Sequence, residues 1–265
     1  MMLKGFSVPL TPTGRSSMVP NPPWYYVGNA MAIEYVADAK KTAAFLPEGF
    51  EPLDGRCTAF FIDWQTASAD DPEAYLNPQY SQYREAVIMM AARYEGRNVS
   101  YCPFIWVDND GAALRGQVYG YPKQIAQVFM TRAYNVASQA APVIGPGGRL
   151  AAYCAADCGR LFDAQIELKE PAAGAPYPHF SSVLSLRHFP NLSRKDGYAP
   201  LVMDLVQGNC YDVHVAEAWK GTASLHVYDT SVPELAAFKP LSVTAGYYDV
   251  ESHTTDDIEL IRSYR

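Results

Sequence analysis

The chain has 265 residues, nearly half of them hydrophobic and only 18% charged, which excludes a disordered chain and allows one large domain or two small ones. A formal charge of −7 argues against a general nucleic-acid or anionic-membrane partner. No apolar run approaches the ~20 residues that span a bilayer. Met1 to Pro20 carries no apolar block followed by a cleavage site, so no secretory signal is expected and a cytoplasmic location is.

Residues 1 to 23 are rich in proline, glycine and serine and read as an extended arm. Trp24 to Tyr35 is apolar and aromatic, a strand pattern. Asp38 to Leu46 predicts a short helix, with Asp38 as N-cap and Pro47 and Gly49 as its stop. Thr58 to Trp64 predicts a second strand and Ala69 to Tyr83 a polar loop. Glu85 to Ala92 fits a strand or a buried helix, since periodicity does not separate the two at this length. Val99 to Val107 predicts a strand and Asp108-Asn109-Asp110-Gly111 a turn. A short helix is expected from Ala112 to Tyr119 and a strand from Val128 to Arg132. Gly145-Pro146-Gly147-Gly148 reads as a hairpin turn, since it lacks the Lys-Ser/Thr of a phosphate loop.

Beyond it, Leu161–Leu168, Val183–Phe189, Leu201–Val206, Cys210–Glu217, Ala223–Tyr228 and Leu241–Val250 read as short strands. Many short strands with glycine, proline and asparagine turns predict an antiparallel barrel or sandwich. Nineteen tyrosines and twenty prolines fit the same class. No linker or repeat divides the chain, so a single domain over 1–265 is expected.

Five scattered cysteines, with Cys154 and Cys158 the only close pair, give neither a disulfide framework nor a complete metal site. The five histidines (His179, His188, His214, His226, His253) form no i, i+4 metal pair and are expected to be structural. There is no Gly-x-Ser-x-Gly elbow and no His-Glu-x-x-His. What remains is Gly120-Tyr121-Pro122-Lys123-Gln124. A lysine among Val118, Tyr119, Tyr121, Ile125, Val128 and Phe129 either snorkels to solvent, the ordinary case, or is desolvated. A lysine of ordinary pKa leaves roughly one amine in 2,500 neutral at pH 7. Lowering that pKa to ~7 takes about 4–5 kcal/mol of destabilisation of the ammonium, which a dry pocket can supply, and the neutral amine attacks carbonyls to form Schiff bases.

Three segments carry a resemblance. Arg115-Gly-Gln-Val-Tyr-Gly-Tyr-Pro-Lys123 resembles the active-site segment of the acetoacetate decarboxylase superfamily. Val213-His-Val-Ala-Glu-Ala-Trp219-Lys-Gly221 through Asp229 resembles that family's late Glu-Ala-Trp-x-Gly strand pair. Ile33-Glu-Tyr35-Val-Ala-Asp38, followed by Leu46-Pro47-Glu48-Gly49-Phe50, resembles its early segment. The three lie in family order and span roughly residues 20 to 250. The resemblance implies a closed, cone-like antiparallel β-barrel with flanking helices, assembled into homo-oligomers, with Lys123 as the Schiff-base nucleophile.

The sequence departs from the decarboxylase pattern. Gln124 stands where a second lysine follows the nucleophile. The family's two early pocket acids correspond to Phe61 and Gln82 here. Gln117 replaces a glutamate, and the early arginine near Tyr26 to Asn29 is absent. The expected pocket is therefore neutral apart from Arg115, a bidentate donor suited to a substrate carboxylate that is retained. Some branches of the superfamily use the lysine to make a pyruvate enamine that adds to an aldehyde and then dehydrates. On that pattern Arg115, Gln82 and Gln117 bind substrate, and Glu251 or Tyr119 moves protons. The implied partners are a small-molecule 2-oxo acid and an aldehyde, with no cofactor and no metal. Decarboxylation of a 3-oxo acid, or a non-catalytic small-molecule-binding barrel, is the alternative.

Overall fold

The computed structural model describes residues 2–157, 159–172 and 182–265. Cys158 and His179 lie outside the described residues. The fold is mainly β, with eleven strands in one sheet among the described residues. The strands are β1 (Trp24–Val36), β2 (Phe50–Ser68), β3 (Gln82–Tyr94), β4 (Arg97–Val107), β5 (Lys123–Ile125), β6 (Gln127–Met130), β7 (Arg149–Ala156), β8 (Gly159–Pro171), β9 (Val183–Phe189), β10 (Val202–Val227) and β11 (Ser242–Ser263).

Strands β11-β1-β2-β3-β4-β9-β10 form a continuous path, and β10 pairs back onto β11 to close it into a ring. Closure removes the unpaired edges that an open sheet would expose. The expected antiparallel barrel is thus present, with one exception in the ring. The seam between β4 and β9 is parallel and short, pairing Ser100 with Val183 and Tyr101 with Leu184. Outside the ring, β8, β7 and β6 run on from β10 as a wing.

Alternation gives β1, β2, β3 and β4 stretches with two buried faces. On β2, Phe60, Ile62 and Trp64 point into the ring, while Cys57, Ala59 and Phe61 point outward. The outward set packs beneath the wing: Phe162 of β8 lies 5.1 Å from Phe61 and 5.6 Å from Trp106, ring centroid to ring centroid. The inward set lines the barrel interior. Two apolar faces explain why Glu85 to Ala92 does not alternate cleanly in sequence; it is strand, within β3.

Several segments differ from their sequence reading. The three short strands expected between Leu201 and Tyr228 are one strand of 26 residues, broken in register rather than in course. The last strand runs on past Val250 to Ser263, because its polar second half pairs with β10 along a solvated face. Residues 2–23 do not extend; they double back, with Ser7 N–H donating to Ser17 Oγ at 2.8 Å and Val19 fully buried. The helix α1 (Ala39–Ala43) does begin at Asp38, whose carboxylate accepts from the Lys40 and Lys41 N–H groups. The expected loop from Ala69 holds the short α2 (Pro78–Ser81), and β3 begins directly after it. The third helix, α3 (Asp110–Tyr119), enters the ring's mouth and delivers the lysine segment.

Candidate active site

Local rules place the lysine. Asn109 caps α3 by accepting the Ala112 N–H at 2.9 Å. Gly120 ends the helix with φ +115°, and both Gly120 and Tyr121 N–H donate to the Gly116 carbonyl at 2.8 Å. Pro122 cannot continue a helix, so the chain leaves as β5, which pairs in parallel with β4 and sets Lys123 opposite Ile105. Alternation then turns Lys123 inward and Gln124 outward. The lysine stem runs over Gly116, where a Cβ would come within 2.2 Å of Lys123 Cδ.

Lys123 projects into a cavity of about 240 Å³ to which all seven ring strands contribute. Tyr26, Trp64 and Tyr83 form one aromatic side, while Tyr119 and Tyr121 come from the helix and its exit. Lys123 Nζ lies 2.6 Å from Glu85 Oε2, and both side chains are about nine-tenths buried. Arg115, on the same inner surface, is buried between the Tyr26 and Tyr83 rings at 5.1 and 5.5 Å. Its Nε has no hydrogen-bond partner among the described residues. From β11, Glu251, His253 and Thr255 face the cavity at every second position. His253 stacks on Tyr26 at 4.8 Å, and its Nδ1 is 3.8 Å from Glu251 Oε1.

Burial sets the charge states. It lowers the Lys123 pKa; Arg115 adds to the lowering and Glu85 opposes it. Burial, helped by the Asp249 charge, lifts Glu251 to about 7. Burial holds His253 neutral by lowering it to about 4. The arrangement therefore contains an amine biased toward its nucleophilic form, a carboxyl poised near neutrality, and a buried cation able to meet an anion.

The site gathers Lys123, Arg115, Glu251 and one edge of Tyr119, but not the two glutamines. Gln82 is exposed at the start of β3 and donates to the Gln65 side chain at 3.0 Å. Gln117 faces solvent across α3 and donates to the Lys123 carbonyl at 3.3 Å. The Tyr119 hydroxyl donates to the carbonyls of Asn209 and Asp257, at 3.1 and 3.0 Å, which ties α3 to the β10–β11 ladder. The expected neutral pocket is also corrected. Its acid is Glu85, three residues beyond Gln82 on the same strand, and Phe61 faces the other side of the sheet. The cationic neighbour missing at Gln124 is supplied by Arg115 from the helix. His253, expected to be structural, lines the cavity. Its signal was the period of two shared with Glu251, and Glu85 was the lone charge opening an apolar run.

A closed, one-sheet barrel enclosing a buried lysine–carboxylate pair defines the architectural class. The model of the acetoacetate decarboxylase family matches residues 7–264, and the chain belongs to that family. A curated acetoacetate decarboxylase from Acidiphilium cryptum (strain JF-5) is 24% identical over 271 residues, covering 98% of this chain and 95% of the relative. Among solved structures, the enduracididine biosynthesis enzyme MppR, complexed with the condensation product of pyruvate and imidazole 4-carboxaldehyde, is 29% identical. Its TM-score is 0.92, with 100% of this chain and 99% of MppR covered. MppR complexed with pyruvate is similar at 28% identity and a TM-score of 0.91, with both chains fully covered. An acetoacetate decarboxylase-like enzyme from Sphingomonas wittichii RW1 is 25% identical with a TM-score of 0.87, covering 98% of this chain and 100% of that one.

Proposed function

We propose that the protein is a Schiff-base lyase that joins pyruvate, or a related 2-oxo acid, to an aldehyde and dehydrates the product. The observation that carries this is the pair at the centre of the cavity: Lys123 Nζ, buried, 2.6 Å from Glu85. Glu85 takes a proton from the ammonium, and the freed amine attacks the ketone carbon of the 2-oxo acid. Glu85 returns the proton to the hydroxyl of the tetrahedral adduct, which leaves as water, and the C=N⁺ bond forms. Arg115 receives the carboxylate through its Nε, which has no partner among the described residues. Glu251 removes a proton from the adjacent carbon, and the iminium accepts the electron pair to give an enamine. The enamine carbon then attacks the aldehyde. Hydrolysis of the Schiff base releases the product and restores Lys123.

The likeness to MppR, whose structures hold pyruvate and its condensation product with an aldehyde, supports this choice of substrates. One observation favours the family's namesake reaction instead. An anionic Glu85 beside the iminium repels a substrate carboxylate placed there, which promotes its loss as carbon dioxide.

The test is direct. The protein with pyruvate and imidazole 4-carboxaldehyde is expected to produce a conjugated enone absorbance that is absent in Lys123→Ala. Carbon dioxide release from acetoacetate, without enone formation, would transfer the assignment to decarboxylation.

A further inference from the structure

Condensation with an aldehyde needs a proton at a second place in the cavity. When the enamine attacks, the aldehyde oxygen becomes an alkoxide, and when the adduct dehydrates the same oxygen must leave as water. Both events need a proton delivered on the aldehyde side, away from the lysine.

We propose that Glu251 and His253 act as one proton-carrying pair, with His253 Nε2–H donating to the oxygen of the bound aldehyde. This rests on the pyruvate–aldehyde reading. The two side chains are successive inward positions of β11, and His253 Nδ1 stands 3.8 Å from Glu251 Oε1, a gap that a small rotation closes. The imidazole is fixed by its stack on Tyr26, at 4.8 Å and 16° between planes, and by the Trp64 edge at 5.2 Å. The β10–β11 ladder slips register on both sides of this pair, between Gly208 and Cys210, Tyr211 and His214, and Val215 and Glu217. Such slips re-aim side chains and are frequent beside active sites. Here they admit Cys210 and Val213 to the cavity wall beside His253. A neutral imidazole suits the role, and burial keeps His253 neutral.

The steps balance. As the new carbon–carbon bond forms, the Nε2 proton moves to the alkoxide and Nδ1 takes the proton that Glu251 removed from the substrate. Glu251, again a carboxylate, removes the second proton from the same carbon. Exchange with solvent water meanwhile returns the imidazole from its Nδ1–H to its Nε2–H tautomer, so Nδ1 takes that proton while the Nε2 proton moves to the hydroxyl, which leaves as water as the carbon–carbon double bond forms.

His253→Phe keeps the stacking and removes both nitrogens, and His253→Gln restores an N–H donor. Three readouts are measured: the borohydride-trapped adduct with pyruvate alone, deuterium exchange at the pyruvate methyl, and condensation with imidazole 4-carboxaldehyde. In His253→Phe, trapping and exchange are expected to stay near the wild-type rate while the condensation kcat falls roughly 10²-fold, with partial recovery in His253→Gln. Unchanged condensation in His253→Phe overturns the pair while leaving the Schiff-base reading intact. An equal loss of all three readouts shows a structural role and also overturns the pair. Failure of the wild type to form any adduct overturns both.

Discussion

Substituting Gly116 by alanine separates the lysine's placement from the stability of the fold. An added Cβ would lie 2.2 Å from Lys123 Cδ and 2.6 Å from both Cγ and Cε. Carbon atoms settle at about 3.5–4.0 Å, so the stem must withdraw by roughly 1.3–1.8 Å. That is enough to break the 2.6 Å contact with Glu85. A misplacement of ~1 Å at a reacting group costs on the order of 10²-fold in rate. The fold loses little, since the atoms displaced are methylenes of a flexible side chain. Gly116 also lies inside α3, where alanine is favoured over glycine by about 1 kcal/mol. The assay is the rate of borohydride-trapped adduct formation with pyruvate, measured beside the melting temperature. Gly116→Ala is expected to trap about 10²-fold more slowly with a melting temperature at or above the wild type's. Trapping at the wild-type rate would refute the assignment of Gly116 as the space that positions Lys123.

Three further outcomes follow from the charges and the core. Glu85 holds the proton on Lys123 and Arg115 opposes it. Glu85→Gln is therefore expected to move the pH midpoint of adduct trapping downward and Arg115→Met upward; shifts in the opposite sense contradict the reading. Glu251 is raised from 4.5 to about 7, so the folded state binds its proton where the unfolded state does not, and stability falls as pH rises between those values. Glu251→Gln is then expected to stabilise the protein by on the order of 3 kcal/mol at pH 8 and by nothing at pH 4, read by urea unfolding. Phe162 bridges the wing to the barrel from a fully buried position, and Phe162→Ala is expected to cost about 3–5 kcal/mol in the same assay.

The lysine segment was legible because a charged residue inside an aromatic run is unusual and because Pro122 and Gly120 punctuate it. The capping of α1 by Asp38 was legible for the same local reason. Glu85 is not identified from sequence, since its place beside Lys123 depends on β3 standing beside β4, which carries β5; alignment with the family's early pocket acid leads to Gln82 instead. The single β10 reads as three strands because Gly208 and Gly221 interrupt its alternation. In the structure Asp212 has φ +51°, and the ladder slips around it without the strand ending. The polar half of β11 has no apolar period to reveal it, and its partner is set only by ring closure. His253 was passed over because a lone histidine is usually structural; its meaning comes from the Glu251 carboxyl two positions earlier and from the Tyr26 ring across the ladder.

The central claim is that Lys123 forms a Schiff base with pyruvate. Its most direct test is intact-mass measurement after incubation with pyruvate and borohydride, followed by peptide mapping. The account predicts one added, reduced pyruvate unit per chain, located on Lys123 and absent in Lys123→Ala. No adduct in the folded wild-type protein, or an adduct that persists in Lys123→Ala, would contradict it.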